Sequence, residues 1–301
     1  MIGYLFLGLA LLCGATKGYC GKKSSGALVH ASDAMLMNTV RMLACILIGV
    51  GMVLFQRVWG QLALEPSVLL ICLLSGLGNA MFVVTWLMSV RRGAYMMVDV
   101  FLLIGVVIPL LACMFLYGER IRPVQWVGIA VLLVAGYIMC TYNTAIKGKM
   151  SPISLLLLVL CAVSNGVADL SQKMFVKTAP EVEISVFNLY TYVFAAVVLL
   201  IFCVVFRMRE GRFEQLRSPM AIVRPVFGYM LIMAVCLFLN VYFKTSAARY
   251  LDASQIYPLT QGAAVTISVL MATFLFHERI NLKAIVGVVL SFVALLLINV
   301  L

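Results

Sequence analysis

The chain has 301 residues, of which 64% are hydrophobic and 11% charged, and its formal net charge is +11. Soluble domains carry about a quarter charged residues, so water is not the main solvent of this chain. In so apolar a protein the positive charge reflects loops and lipid headgroups before any anionic partner, and nucleic acid is not an expected ligand.

Apolar runs of about 20 residues cross a bilayer as helices. Ten spans are predicted, over 2–21, 34–55, 67–90, 95–117, 123–142, 152–174, 184–206, 225–247, 253–276 and 282–300, with 207–224 as the sizeable connection. The face from which the first span starts is called here the near face, and the opposite one the far face. Met1 to Ala15 has the apolar core of a signal peptide, and Leu11-Leu12-Cys13-Gly14 has the look of a lipoprotein cleavage box. No basic residue precedes that run and Leu12 is large for its place, so the segment is expected to stay as the first span. The nine cysteines form no Cys-x-x-Cys and have no histidine nearby in sequence. They read as small apolar packing residues, and neither a metal nor a cofactor is expected.

An ionisable side chain inside a span is costly and usually faces a cavity or a partner. Down the chain, the first of these is Lys17, near the far face; Arg41 then lies about 10 Å and Asp99 about 6 Å inside that face, from a rise of about 1.5 Å per residue. Asp33, Met37 and Arg41 share one helical stripe, with Asn38 beside it. A guanidinium there suits a carboxylate or phosphate; an internal pair with Asp99, or snorkelling to the far face, is the alternative. Asp169, Lys173 and Lys244 fall toward the near face. Asp169 and Lys173 are four apart on one helix, the spacing of a local ion pair, with a gate or a proton-coupling carboxylate as the other reading. Asp99 invites the same choice. The two charged clusters are expected to gate opposite mouths. Asn79, Asn165, Asn240 and Gln261 lie deeper, either as substrate ligands beside Lys17 and Arg41 or as hydrogen bonds between helices. Trp59, Trp86 and Trp126 read as interfacial anchors, and His30 and His277 flank spans without a partner at ligand spacing.

One stretch occurs twice. Leu116-Tyr117-Gly118-Glu119-Arg120-Ile121, followed by Gly128, returns 159 positions later as Leu275-Phe276-His277-Glu278-Arg279-Ile280, followed by Gly287. Earlier in each half the offset is about 150 to 151: Asp33 meets Glu183, Asn38 meets Asn188 and Lys22 meets Lys173. The long 207–224 connection explains the change of register. Halves 1–150 and 151–301 thus hold five spans each, and an odd number inverts the second half in the membrane. The expected fold is all-α and integral to the membrane, ten transmembrane helices in two inverted five-helix repeats, an architecture common in secondary transporters. Glu119, Arg120, Glu278 and Arg279 are expected to cap and pin the two hairpins, and Gly128 and Gly287 to let helices pack closely.

Five plus five spans, a Glu after the fourth and ninth, and a Gly opening the fifth and tenth resemble the drug/metabolite transporter superfamily, EamA type. The resemblance implies eight helices around a central cavity, with the fifth and tenth peripheral, and cytoplasmic termini. The chain departs from it in the first helix, where Gly14-Ala15-Thr16-Lys17-Gly18-Tyr19-Cys20-Gly21-Lys22-Lys23 is rich in glycine and lysine. Basic residues concentrate in the connections after odd-numbered spans, which by the positive-inside rule puts 207–224 in the cytoplasm and the termini outside. The two arguments oppose each other; an even number of spans places both termini on one side in either case.

No paired carboxylates, His-rich site or activated Ser or Cys point to an enzyme, and no repeated filter sequence points to a channel. Within the spans Lys17, Arg41, Lys173 and Lys244 outnumber Asp99 and Asp169. The expectation is a secondary transporter working by alternating access on a small polar or amphiphilic metabolite, with an amino acid or related acid as a candidate. Its place would be the plasma membrane, the bacterial inner membrane in particular. The alternative is a multidrug or quaternary-ammonium proton antiporter. The expected partners are the small-molecule substrate and the lipid bilayer, with the protein a monomer or homodimer.

Overall fold

The structure is a computed structural model that describes residues 1–25, 31–91, 95–147, 151–209, 224–275 and 282–299. Among the described residues it is all helical. The helices are α1 (Ile2–Ser25), α2 (Ala31–Gln56), α3 (Pro66–Arg91), α4 (Tyr95–Gly105), α5 (Val107–Tyr117), α6 (Pro123–Lys147), α7 (Pro152–Thr178), α8 (Ile184–Arg209), α9 (Phe227–Ala248), α10 (Ala253–Phe274) and α11 (Leu282–Asn299). Six of them, α1, α2, α3, α7, α8 and α9, are long and apolar enough to cross a membrane, and shorter apolar helices cover Phe101–Tyr117, Pro123–Ile138 and Ile285–Ile298.

Helices are the answer to apolar runs of this length because lipid offers the backbone no partner, so each segment must satisfy its own N–H and C=O groups. Local chemistry sets the ends. Pro66, Pro123 and Pro152 open α3, α6 and α7, where the missing N–H of proline costs nothing. Ser151 caps α7 by accepting the Ser154 N–H at 3.2 Å, and Asp252 with Gln255 forms a capping box on α10. Gly118 ends α5 at φ 64°, a left-handed conformation that glycine adopts without strain.

The fourth span, expected to be continuous over 95–117, is broken. α4 stops at Gly105, Val106 forms a turn, and α5 resumes at Val107. Pro109 is the physical reason: it lacks the N–H that would bond Gly105, and its ring crowds the carbonyl four residues back. The break lets two glycines meet. A Cβ on Gly166 of α7 would lie 2.5 Å from the Gly105 carbonyl oxygen, and a Cβ on Gly105 would collide with the Ala162 carbonyl. Neither neighbour can yield, because both are backbone. Gly166→Val is therefore expected to destabilise the protein by about 3 kcal/mol, the upper part of the range for overpacking. A melting temperature in detergent equal to that of the wild type would contradict this contact.

α1 lies along α9, α3 along α7 and α8, α2 along α8 and α9, and α6 along α11, while α10 packs on α1, α4 and α11. Gly128 serves the α6–α11 contact: a Cβ there would stand 3.0 Å from the Ala294 carbonyl oxygen. The near-face end of the bundle is filled by a buried cluster including Leu7, Cys72, Leu110, Phe175, Phe187, Ala247 and Tyr257, with Phe175 and Phe187 stacked at 4.4 Å between ring centroids. The outer surface carries exposed Leu47, Leu70, Phe115, Val127, Val197 and Phe292, an apolar exterior suited to lipid rather than water.

Candidate functional site

A cavity of about 190 Å³ opens inside the bundle, walled by α1, α2, α3, α4, α7, α9 and α10. Its room comes from α1, where Ala10, Gly14, Ala15 and Gly18 present small side chains to it. Three of these recur every four residues and so share one face. The glycine-rich stretch that sets this chain's first helix apart is thus the concave wall of the site. Asn240 of α9 holds that wall in place, its amide donating to the Ala10 carbonyl at 2.6 Å. Phe82, Trp86, Leu102, Met233, Leu237 and Met271 supply the apolar lining.

Lys17, Arg41, Asn165, Asn240, Lys244, Thr260, Gln261 and Ser268 supply the polar lining. Arg41 is only 6% exposed, and among the described residues its Nε has no hydrogen-bond partner. A buried polar group without a partner costs on the order of 1–3 kcal/mol, so an arginine held this way is poised for an acceptor brought from outside. Lys17 and Lys244, expected near opposite faces, line this same cavity.

Toward the near face the cavity ends in a polar floor. Lys244 Nζ lies 2.6 Å from Asp169 Oδ1 and 5.5 Å above the Tyr257 ring. Asn165 Nδ2 reaches Asp169 Oδ2 at 3.5 Å, and the Tyr257 hydroxyl donates to the Asp169 carbonyl at 2.7 Å. Beneath it sits a second buried pair. Lys173 Nζ is 3.2 Å from Glu119 Oε1 and donates to the carbonyls of Ala248 at 3.2 Å and Leu251 at 2.7 Å. The other oxygen of Glu119 accepts the Ala253 N–H at 2.8 Å, capping α10. Arg249 adds a strap from the α9–α10 turn to the Val182 carbonyl at 2.9 Å. Together with the buried Phe175 and Tyr257 these contacts shut the near-face end. The cavity lining runs from mid-helix toward the far-face ends of α1, α3, α9 and α10.

Several expectations change against this geometry. Asp169 and Lys173 do not pair with each other: each takes a partner from another helix or loop, Lys244 and Glu119 respectively. One helix carries both residues, but neighbouring segments at the same depth offer shorter and better-aligned partners. Asn79 does not reach the cavity, since its amide donates back to Ser75 of its own helix at 2.9 Å. Trp86 is a cavity wall rather than an interfacial anchor, whereas Trp59 and Trp126 are exposed near helix ends. Glu119 does more than pin its own hairpin, because it joins α7 and α10, while Arg120 is exposed. Glu278, Arg279, His30, His277 and the side chains of Asp33 and Asp99 lie outside the described residues, and with them any Arg41–Asp99 contact. Tyr257, Thr260 and Ser268 escaped the reading of the sequence; Tyr257, inside a span and next to Pro258, carried the one usable signal.

Known proteins supply the rest. A solved crystal structure, 16% identical in sequence, covers 99% of this chain and 96% of its own with a TM-score of 0.74; at that identity the likeness is one of fold. No curated protein matches the chain. Residues 152–300 match the EamA-like transporter family. By this match the second half of the chain, residues 152–300, belongs to the EamA-like transporters of the drug/metabolite transporter superfamily, a group of multi-pass membrane proteins.

Proposed function

We propose that this protein is a secondary transporter for a small amphiphilic organic acid, an amino acid or a related acid, working by alternating access in the plasma membrane. The observation that carries the reading is Arg41, buried at the cavity wall with its Nε unpartnered among the described residues. Lys244 of the lining is already neutralised by Asp169, whereas the Arg41 Nε keeps an open donor among the described residues. A carboxylate meets a guanidinium in two parallel hydrogen bonds, while Trp86, Phe82 and Met233 offer an apolar body its surface.

Alternating access rests on ten membrane crossings in two inverted halves. The packing supports this, because the most extensive contacts have counterparts when the first five spans are exchanged with the last five. α1 on α9 answers α3 on α7, α4–α5 on α7 answers α10 on α1, and α2 on α8 and α6 on α11 answer themselves. In the state described, the near-face end is closed by the contacts of Glu119, Lys173 and Arg249.

The test is binding of 3-phenylpropanoate, compared with its uncharged amide and with tetraphenylphosphonium, followed by fluorescence of Trp86 against a Trp86→Phe control. The carboxylate is expected to bind and the amide to bind far more weakly. Arg41→Ala is expected to weaken carboxylate binding by about 100-fold, the loss of roughly 2–3 kcal/mol for one partner of a buried charge pair. A stronger response to the phosphonium than to the carboxylate would instead identify a multidrug or quaternary-ammonium antiporter.

A further inference from the structure

Asp169 has a peculiar position: it is 2% exposed, yet both of its carboxylate contacts are cavity-lining residues. Lys244 holds one oxygen at 2.6 Å and Asn165 the other at 3.5 Å. No other described neighbour offers a countercharge in contact. Tyr257 of α10 donates to the Asp169 carbonyl rather than to its carboxylate. Lys173, one turn further along α7, is held by Glu119 and two carbonyls. Lys17 of α1 lines the same cavity. The other helices packed on α7 are α3, α4 and α5. Neither α3 from Pro66 to Trp86 nor α5 has an acidic or basic residue, and α4 has Asp99, whose side chain is outside the description.

We propose that this transporter carries a proton with each organic anion, and that Asp169 is the group that holds the proton. The inference rests on the acid-binding reading above. The ammonium of Lys244 lies within the cavity, where an anion anchored by Arg41 competes with Asp169 for it. When the anion takes Lys244, the ammonium keeps all its protons and Asp169 is left as a buried carboxylate without its counterion. Such a charge is expensive and is relieved by taking a proton. That proton comes from the water on the side from which the anion enters and adds to one carboxylate oxygen, so the occupied site gains one anion and one proton and no net charge. On release Lys244 returns to Asp169 and the proton leaves to the same side as the anion. A monoanion would thus be carried electroneutrally, and its gradient tied to that of the proton.

Three readouts test this on the purified full-length protein with 3-phenylpropanoate as the probe. In weak buffer with a pH-indicating dye, wild type is expected to take up about one proton per anion bound, with Kd rising about tenfold per unit between about pH 6 and pH 8, where the probe itself stays ionised. Asp169→Asn is expected to bind the anion with no proton uptake and with a Kd independent of pH. The infrared difference spectrum of wild type on anion binding, which needs no variant, is expected to gain a protonated carboxyl C=O band that the uncharged amide does not induce. Anion binding without proton uptake and without that band overturns the coupling and leaves the acid-binding reading standing. Uptake and pH dependence undiminished in Asp169→Asn overturn Asp169 as the proton holder. Failure of the carboxylate to bind at all removes the acid-binding reading, and this inference falls with it.

Discussion

Replacing Glu119 with alanine is expected to unlatch the near-face end of the protein. Glu119 reaches out of the α5–α6 connection to two elements at once, the ammonium of Lys173 on α7 and the N–H of Ala253 at the start of α10. Its loss leaves Lys173 charged and 2% exposed with backbone carbonyls as its remaining partners. Removing one member of a buried ion pair costs about 3–5 kcal/mol, because the survivor is stranded, and the N-terminus of α10 loses its charged acceptor as well. The variant is expected to melt well below the wild type. A single cysteine at Ala248, buried next to the latch, is expected to change from protected to labelled by a water-soluble thiol reagent. Adding Lys173→Met is expected to restore much of the stability, since no charge is then stranded, but not the protection, since nothing then ties α7 to the α9–α10 turn. Protection of Ala248→Cys that is unchanged by Glu119→Ala would show that the near-face closure does not depend on this latch.

A comparable loss is expected at the cavity floor, with a different signature. Lys244→Ala strands Asp169 beneath the cavity, again at a cost of about 3–5 kcal/mol. The double change Lys244→Met with Asp169→Leu removes both charges and keeps most of the volume, and such replacements are often neutral for stability or better. The double variant is therefore expected to melt close to wild type while losing the binding of 3-phenylpropanoate along with its pH dependence. That split separates a pair kept for function from one kept for stability. If the double variant melts as low as Lys244→Ala, the two residues are not coupled in the way the 2.6 Å contact implies.

The one-dimensional features of this protein were determined by the sequence alone. Apolar runs of the right length become helices in lipid because the backbone has no other way to satisfy its hydrogen bonds. Charges inside those runs mark interior-facing positions because lipid-facing ones cost too much. On those grounds Lys17, Arg41, Asn165, Asn240, Lys244 and Gln261 stood out by residue type and depth, and all six line the cavity. What depth could not supply was azimuth and neighbourhood. Asn79 has the right type and depth, but it turns back to Ser75; Trp86 has the composition of an anchor, but its helix turns it inward.

Only the tertiary structure decided which charges meet. Four-residue spacing put Asp169 beside Lys173, whereas the bundle brings Lys244 to Asp169 from 75 residues away and Glu119 to Lys173 from the other half of the chain. Spacing along one helix describes a surface that neighbouring helices then compete for. A long lysine side chain settles wherever the shortest, driest partner lies, and packing chooses the helix that provides it. The same holds for the fourth span, where Pro109 was visible as a weak point. That the break would free the Gly105 carbonyl to lie against Gly166 depended on α7 being its neighbour.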